Sequence, residues 1–223
     1  MSLIRVVDVA KTYITGKNIA TPALAGINLS IEPKAFTALA GPSGSGKSSL
    51  LHLIGGLDLP SQGKIFYENQ DITTMPAEGL SDFRRNSVGF VFQAYNLINT
   101  LTALENVEYI MLLQKIPAHE REIKATQFLK RVGLNDLIHR FPNEMSGGQQ
   151  QRVAIARAIA ARPKVVLADE PTANLDSKTA DSLIDLMLEL NQEDSMTFIF
   201  STHDPLVISK AKQTIHLKDG RIA

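Results

Sequence analysis

The sequence predicts an α/β protein with a mostly parallel sheet, and three observations support this fold class. Short apolar segments of strand length alternate along the chain with segments of helical periodicity. A glycine-rich turn at 41–48 joins an apolar segment directly to a helical one. Residues 94–144 lose this alternation and are mostly helical. Because strand–helix–strand crossovers cover both faces of a sheet, we expect a parallel core with an inserted helical subdomain.

The first 93 residues are predicted to hold most of the strands. Residues 27–31 alternate between apolar and polar side chains, as in a strand with one buried face. With residues 3–9 they are expected to form an antiparallel β part at the N-terminus. The expected strands are 3–9, 27–31, 36–40, 64–67 and 88–92, and one helix runs from residue 48 to the glycine pair 55–56.

The remaining elements follow the same rules. Two helices are expected at 103–114 and 120–132, stopped by Pro117 and Gly133. After Pro142 the alternation returns, with helices at 149–161 and 177–191 and strands at 165–168, 197–201 and 215–218. We therefore expect one domain, with a core of residues 1–93 and 145–223 and a helical subdomain of about 94–144.

Composition excludes several classes of protein. With 223 residues, 44% of them hydrophobic, the chain can bury a full core. Its 23 Lys and Arg residues balance 23 Asp and Glu residues, so no nucleic-acid partner is expected. Without cysteine, neither a disulfide scaffold nor a thiolate metal site can form. No apolar run approaches the ~20 residues of a membrane helix, and a soluble, cytoplasmic protein is expected.

The glycine-rich turn matches the pattern G-x-x-x-x-G-K-[ST] between an expected strand and an expected helix, which predicts a phosphate-binding loop rather than a chance match in a flexible loop. Its glycines let backbone N–H groups surround phosphate oxygens, and the following helix adds the positive end of its dipole. Lys47 is expected to reach the β- and γ-phosphates, and the Ser48 hydroxyl to ligate Mg²⁺. The residues expected to bind nucleotide here are Gly41, Pro42, Ser43, Gly44, Ser45, Gly46, Lys47, Ser48 and Ser49. The core is therefore predicted to be a P-loop NTPase.

Two acids follow the apolar strand 165–168. Asp169 is expected at the carboxyl end of that strand, where open α/β sheets bind ligands and where it can hold Mg²⁺. Glu170 would then polarise the attacking water beside the γ-phosphate. An acidic pair can also simply begin a surface loop, but the nearby phosphate loop favours the catalytic interpretation.

The segment 145–149 precedes another helix and contains two consecutive glycines. Ser146 has the chemistry of a helix N-cap, and the glycines permit a close backbone approach. From the residues alone, an ordinary capped helix is the favoured interpretation. A second helix N-terminus that faces an anion is the alternative.

Taken together, these motifs resemble those of ATP-binding cassette (ABC) ATPases over nearly the whole chain. Six markers occur in that family's order: the phosphate loop at 41–48, Gln93, the signature at 145–149, Asp169–Glu170, the loop 173–176 and the segment 201–204. Met145 stands where leucine is usual, a volume-conserving change. The resemblance implies an ATPase that binds ATP and Mg²⁺ within the predicted α/β fold.

Several residue roles are implied by the resemblance alone. Tyr13 would stack on adenine, Gln93 would contact Mg²⁺ and report to a transmembrane partner, and His203 would contact the γ-phosphate as a catalytic switch. Asp176 would cross a dimer interface. The alternatives are a core aromatic for Tyr13, a polar strand end for Gln93 and a structural histidine for His203. The signature would be Ser146, Gly147, Gly148 and Gln149, closing over ATP held by a second subunit.

The implied assembly is a homodimer in the ATP-bound state, attached to integral-membrane permease subunits on the inner face of the cell membrane. Four segments resemble the branch of ATPases that serve lipoprotein release, macrolide or peptide export and related cell-division machinery: residues 168–176 and 149–152, the extended hairpin at 16–22 and the segment 101–107. A soluble ATPase of DNA repair or translation is disfavoured, because no long heptad repeat and only one cassette are present. A P-loop kinase or GTPase would leave the signature unexplained.

Overall fold

The computed structural model describes residues 2–15 and 19–223, and it contains two sheets. The strands are β1 (Ile4–Thr15), β2 (Ile19–Ile31), β3 (Phe36–Ala40), β4 (Gln62–Tyr67), β5 (Gln70–Asp71), β6 (Val88–Val91), β7 (Val165–Asp169), β8 (Thr197–Thr202), β9 (Gln213–Lys218) and β10 (Arg221–Ile222). The helices are α1 (Lys47–Ile54), α2 (Ala77–Ser87), α3 (Ala103–Leu113), α4 (Ala118–Arg131), α5 (Gly147–Ala160), α6 (Ser177–Glu193) and α7 (Pro205–Lys210). Two 3₁₀ turns lie at Asn135–Leu137 and Pro142–Glu144.

The six-stranded sheet confirms the predicted mostly parallel core. Its order is β10-β9-β3-β8-β7-β6, and every neighbouring pair except β10 and β9 is parallel. The chain segments that follow β3, β6, β7 and β8 therefore leave the sheet at one edge. These segments carry the phosphate loop, Gln93, Glu170 and His203, so the topology itself gathers the predicted site residues.

The smaller sheet is antiparallel, in the order β2-β1-β4-β5, as predicted for the N-terminal part. Strands β1 and β2 are much longer than the predicted segments 3–9 and 27–31. The pairing of β1 with β2 shifts register after Val6, Val9 and Lys11, and so it continues past the break in hydrophobic alternation. The longer β1 carries Tyr13. The predicted hairpin at 16–22 falls partly on residues 16–18, outside the described residues.

Apolar side chains fill both faces of the parallel sheet. One cluster joins the sheet to α3, α4, α5 and α6, and its centre includes the fully buried rings of Phe36, Phe198 and Phe200. The Phe36 and Phe200 centroids lie 4.6 Å apart. The other cluster joins the opposite face to α1 and to the antiparallel sheet. Burying one such side chain contributes about 1.5–3 kcal/mol, so these layers stabilise the sheet whose edge carries the predicted site residues.

Two helices, α2 and α7, were not expected from the sequence. Helix α2 buries only Leu80 and Phe83, too few apolar residues for a clear periodicity. Helix α7 has six residues and begins at the N-cap Asp204, whose Oδ1 accepts a hydrogen bond from the Leu206 N–H at 2.9 Å. In residues 2–15 and 19–223, no helix has both the length and the apolarity that a membrane span requires.

Candidate functional site

The phosphate loop leaves β3 and enters α1 as the motif predicted. Gly46 adopts φ of 99°, and a Cβ there would lie 2.7 Å from the Ala23 carbonyl oxygen, so only glycine fits without displacing the backbone. The Lys47 side chain is buried within the loop. Its Nζ donates to the carbonyl oxygens of Gly41 at 2.8 Å and Pro42 at 3.0 Å. A cation is thus held inside the turn that leads into the N-terminus of α1, where a helix dipole favours an anion.

Ser48 and Asp169 meet at the base of this loop, although 121 positions separate them in the sequence. The Ser48 hydroxyl donates to Asp169 Oδ1 at 2.8 Å. His52, one turn further along α1, brings its Nε2 to 3.8 Å from Asp169 Oδ2. A hydroxyl and a carboxylate are hard oxygen donors of the kind Mg²⁺ prefers, so these residues fit that ion. The described residues contain no group of three acidic or histidine side chains suited to a metal. Mg²⁺ commonly takes its other ligands from water and substrate phosphates.

Glu170 has an unusual backbone conformation. Its φ is 45°, a left-handed value that costs about 1–3 kcal/mol for a residue other than glycine. Its N–H donates to the Ser201 carbonyl at 2.9 Å, which ties it to β8. Its Oε1 lies 2.9 Å from His203 Nδ1, and its Oε2 accepts from the Thr202 hydroxyl at 3.4 Å. The carboxylate is therefore fixed at the edge of the sheet, next to the exposed imidazole.

A cleft of about 390 Å³ unites these groups. It is lined by Ala23, Ser43, Gly44, Gly46, Lys47, Ser48, Ser49, Gln93, Glu170, Ala173 and His203. The catalytic residues predicted from separate motifs thus lie around one space, with Asp169 directly beside Ser48. The cleft combines a cation, backbone donors, oxygen ligands for a metal and a carboxylate able to activate water.

Gln93 lines this cleft and lies in a segment held from two sides. Its carbonyl accepts a hydrogen bond from Asn174 Nδ2 at 2.9 Å. The Arg157 guanidinium donates to the carbonyls of Tyr95 at 2.8 Å and Asn96 at 2.5 Å. Burial lowers the pKa of Arg157, yet a guanidinium stays charged at neutral pH. The turn after Gln93 is therefore attached to both α5 and the loop that follows Glu170.

Tyr13 projects from β1 toward the start of α1, outside the residues that line the phosphate cleft. Its hydroxyl lies 3.5 Å from Ser49 Oγ, and its side chain is half-buried. Lys11 Nζ lies 5.0 Å from the ring centroid and is held by Asp58 at 2.7 Å. Burial opposes ionisation of Asp58. Its hydrogen bonds, chiefly the one from Lys11, outweigh this effect and lower the pKa of Asp58. Tyr13 is thus positioned beside the helix that carries Ser48.

The signature segment begins α5, at a different place on the surface. Ser146 Oγ accepts from the Gln149 N–H at 3.3 Å, and Gln149 Oε1 accepts from the Ser146 N–H at 2.8 Å, which forms a complete capping box. The helix starts at Gly147, two residues earlier than predicted. A Cβ at Gly147 would lie 2.7 Å from the Tyr95 hydroxyl, so a larger residue would have to displace the Tyr95 side chain. This N-terminus opens into a second cleft of about 570 Å³.

Asp176 lines the second cleft together with the signature. It is the N-cap of α6: its Oδ1 accepts from the Lys178 and Thr179 N–H groups, and its Oδ2 accepts from the Thr179 hydroxyl at 2.6 Å. These bonds, that of the Thr179 hydroxyl above all, lower the pKa of Asp176. The carboxylate is therefore turned toward its own helix.

The two clefts share no lining residue. The structure brings together Lys47, Ser48, Gln93, Glu170 and His203, but it keeps Ser146 outside that group. A single chain thus has the cleft around the phosphate loop at one place and the signature helix N-terminus, with its two glycines, at another.

Sequence reasoning missed the hydrogen bonds that join the loops of the site. Thr172 is buried, and its hydroxyl donates to Asp204 Oδ2 at 2.7 Å. Asp204 directly follows His203, so this bond connects the loop after Glu170 to the loop that carries the histidine. The N-cap character of Asp204 could have been recognised from the following Pro205. Its hydrogen bond to Thr172, 32 positions earlier in the chain, could not have been recognised from the sequence.

Comparisons with known proteins agree with this geometry. The profile of the ABC transporter family matches residues 24–173, more than half of the chain. The lipoprotein-releasing system ATP-binding protein LolD of Idiomarina loihiensis is 43% identical over 219 residues, which cover 98% of this chain and 96% of LolD. The macrolide export protein MacB of Wolinella succinogenes is 41% identical over 99% of this chain, which spans 34% of MacB.

A solved structure matches as well. The dimeric, post-hydrolysis structure of the ATP-binding cassette MJ0796 of Methanocaldococcus jannaschii, bound to ADP and Pi, superposes with a TM-score of 0.91 at 42% identity. The match covers 98% of this chain and 96% of that one. The fold, the phosphate cleft and these likenesses identify the chain as a member of the ABC transporter family and an ATP-binding cassette ATPase.

Proposed function

We propose that this chain hydrolyses ATP as a head-to-tail homodimer and powers a separate membrane permease. The observation that carries the proposal is the separation of the two clefts. The phosphate cleft holds the catalytic groups, whereas the signature helix N-terminus, an anion site by its dipole, opens elsewhere on the same chain. Two chains related by a two-fold axis can place each signature over the other's phosphate cleft. The dimeric state of the MJ0796 cassette supports this arrangement.

Each group in the phosphate cleft has a distinct task in this proposal. Lys47 and the loop N–H groups bind and orient the phosphates, because phosphoryl transfer depends mainly on positioning and charge stabilisation. Ser48, Asp169 and Gln93 would hold Mg²⁺, which neutralises developing phosphate charge when bound. Glu170 orients and polarises the attacking water.

His203 has a positional task next to Glu170. Its Nδ1 lies 2.9 Å from Glu170 Oε1, so the ring and the carboxylate fix each other's orientation. The remaining ring nitrogen is free to face the terminal phosphate, since the imidazole is largely exposed. The signature residues Ser146, Gly147, Gly148 and Gln149 of the partner subunit would complete the site. ATP-dependent closure then follows, because neither chain alone surrounds the nucleotide.

We assign residues 94–144 to a helical subdomain that contacts the permease. A groove of about 290 Å³ runs between this region and β6, and most of its lining is apolar. Its rim includes Tyr109 and Leu113, which are 41% and 44% exposed. Phe90 and Phe92 also line the groove, and their rings stack with centroids 5.5 Å apart. An apolar groove of this kind suits a short amphipathic helix of a partner.

The permease we favour belongs to the lipoprotein-release or macrolide-export type. The likenesses to LolD and MacB, each above 40% identity over nearly the whole of this chain, support this choice. In such an assembly the cassette lies against the cytoplasmic face of the membrane through its permease.

A native pull-down tests the whole proposal. A tagged Glu170→Gln variant, incubated with ATP and Mg²⁺ in gently solubilised host membranes, should co-purify a membrane protein with few spans and a large extracytoplasmic domain. A permease with many spans would refute the favoured branch. Ribosomes, DNA or the absence of any membrane partner would refute the transporter assignment.

The groove gives a sharper version of that experiment. Leu113→Asp places a charge on the groove rim and should abolish co-purification of the permease while leaving basal ATP hydrolysis unchanged, because Leu113 lies outside both clefts. Ile123→Asp is the matched control, since Ile123 is equally exposed, at 45%, but does not line the groove. Loss of the permease in both variants, or in neither, would contradict the docking assignment.

Tyr13→Ala tests the adenine contact. Loss of a base-stacking ring should weaken ATP binding by about 1–3 kcal/mol and leave binding of Mg²⁺-tripolyphosphate, which has no base, unchanged. Isothermal titration calorimetry with both ligands measures the difference. An unchanged ATP affinity would show that Tyr13 does not contact the base and only packs against Ser49. An equal loss of affinity for both ligands would indicate damage to the phosphate loop.

A further inference from the structure

A buried glutamine lies directly beneath the catalytic loop. Gln151, in the second turn of α5, is completely buried, and its Nε2 donates to the Pro171 carbonyl at 2.8 Å. Its Oε1 is buried without a hydrogen-bond partner among the residues that the structure describes. An unsatisfied amide oxygen in a core is unfavourable. A leucine or methionine of similar volume would avoid it, so packing alone does not account for an amide at this place.

Pro171 directly follows Glu170, whose backbone is strained. Glu170 has φ of 45°, and a residue before proline normally adopts an extended conformation. Such a conformation persists only where surrounding contacts fix it. On one side, the Glu170 N–H is bonded to the Ser201 carbonyl. On the other side, the Pro171 carbonyl accepts a hydrogen bond from Gln151 Nε2.

We propose that Gln151 is a positioning residue, which holds the Glu170–Pro171 backbone so that the Glu170 carboxylate keeps its place in the phosphate cleft. The inference rests on the proposed role of Glu170 in activating water. Gln151 does not line the phosphate cleft and acts only through the Pro171 carbonyl. Removing its donor lets the strained segment relax and moves the carboxylate away from its site beside His203.

The first test replaces Gln151 with methionine, which keeps the volume and removes the donor. A misplacement on the scale of 1 Å can reduce a rate about 10²-fold, so we expect kcat to fall by about 10–10²-fold while KM for ATP is unchanged. Asn191→Leu is the matched control. Asn191 is another buried amide that holds backbone carbonyls, those of Lys34, Ala35 and Met196, far from the cleft. It should lower Tm and leave kcat unaltered.

A double variant separates positioning from general destabilisation. In a Glu170→Gln background the carboxylate is already lost, so adding Gln151→Met should slow the residual turnover little further. A full additional loss would overturn the proposal, as would a folded Gln151→Met protein with unaltered kcat. If that variant does not fold, Gln151→Asn, whose amide is one methylene too short to span the contact, decides the question by the same measurements.

The proposed function and this inference fail differently. If Glu170→Gln alone keeps normal turnover, the role of Glu170 is wrong and Gln151 has no carboxylate to position. If Glu170→Gln loses turnover but Gln151→Met and Gln151→Asn keep it, only the inference falls.

Discussion

Replacing Glu170 with glutamine should leave ATP binding intact and slow steady-state hydrolysis roughly 10²–10⁴-fold, the range expected for loss of a general base. The amide keeps the size of the side chain but cannot accept a proton from water. Because the nucleotide is then held without being consumed, the ATP-bound dimer should live longer. Phosphate release gives the rate, equilibrium dialysis gives the affinity, and size-exclusion chromatography with ATP gives the dimer.

The control for this variant is Glu189→Gln, the same chemical change on the exposed face of α6, outside the phosphate cleft. It should retain the rate of the unmodified protein. Near-normal hydrolysis by Glu170→Gln would show that Glu170 does not activate the attacking water. A parallel loss of ATP affinity would mean that the change had disturbed the phosphate loop instead.

Replacing Ser146 with arginine should abolish hydrolysis while each monomer still binds ATP. The long cationic side chain would occupy the signature cleft and prevent the partner's nucleotide from reaching the α5 N-terminus. It would also remove the Ser146 cap, at a cost of about 1 kcal/mol. Thr102→Arg controls for that cost, because Thr102 forms the same capping box at the start of α3, away from both clefts. ATP binding and hydrolysis are measured on both variants.

A mixing experiment tests whether each ATP site is formed by residues of both subunits. Ser146→Arg and Lys47→Ala subunits are each expected to be inactive alone. In a mixed dimer, the Lys47 of one subunit faces the Ser146 of the other, so one of the two sites is intact. With half of the dimers mixed, about a quarter of normal activity should return if the sites act independently. No recovery, with mixed dimers demonstrated by tags, would contradict the trans arrangement, and activity of Ser146→Arg alone would refute it outright.

Elements with a strong local signal could be predicted to within one or two residues. Strand β3 lies at Phe36–Ala40 as expected, since a short apolar segment bounded by turn residues is buried on both faces. Helix α2 could not be predicted, because only Leu80 and Phe83 mark its buried side. The early part of β2 was also missed, since its Thr21 and Pro22 do not indicate a strand. It forms one through pairing with β1.

The site shows the same division between local and distant information. Contiguous motifs predicted the phosphate loop and the acidic strand end, because backbone geometry and chemistry are encoded there within a few residues. The bond of Ser48 to Asp169 follows from the neighbouring strands and could be anticipated. Gln151 could not be recognised, because it lies in a run of three glutamines. Only the packing of α5 determines which of them is buried.

The loop between Glu170 and Asp176 has a consequence for how this chain can vary. Loops generally accept insertions and deletions. Here, hydrogen bonds tie the loop to β8, α5, the α7 N-cap and the segment after β6, and its last residue caps α6. One added residue would move every later partner out of reach. We therefore expect evolutionary length variation to avoid this seven-residue segment and to concentrate in places such as 114–117, between α3 and α4.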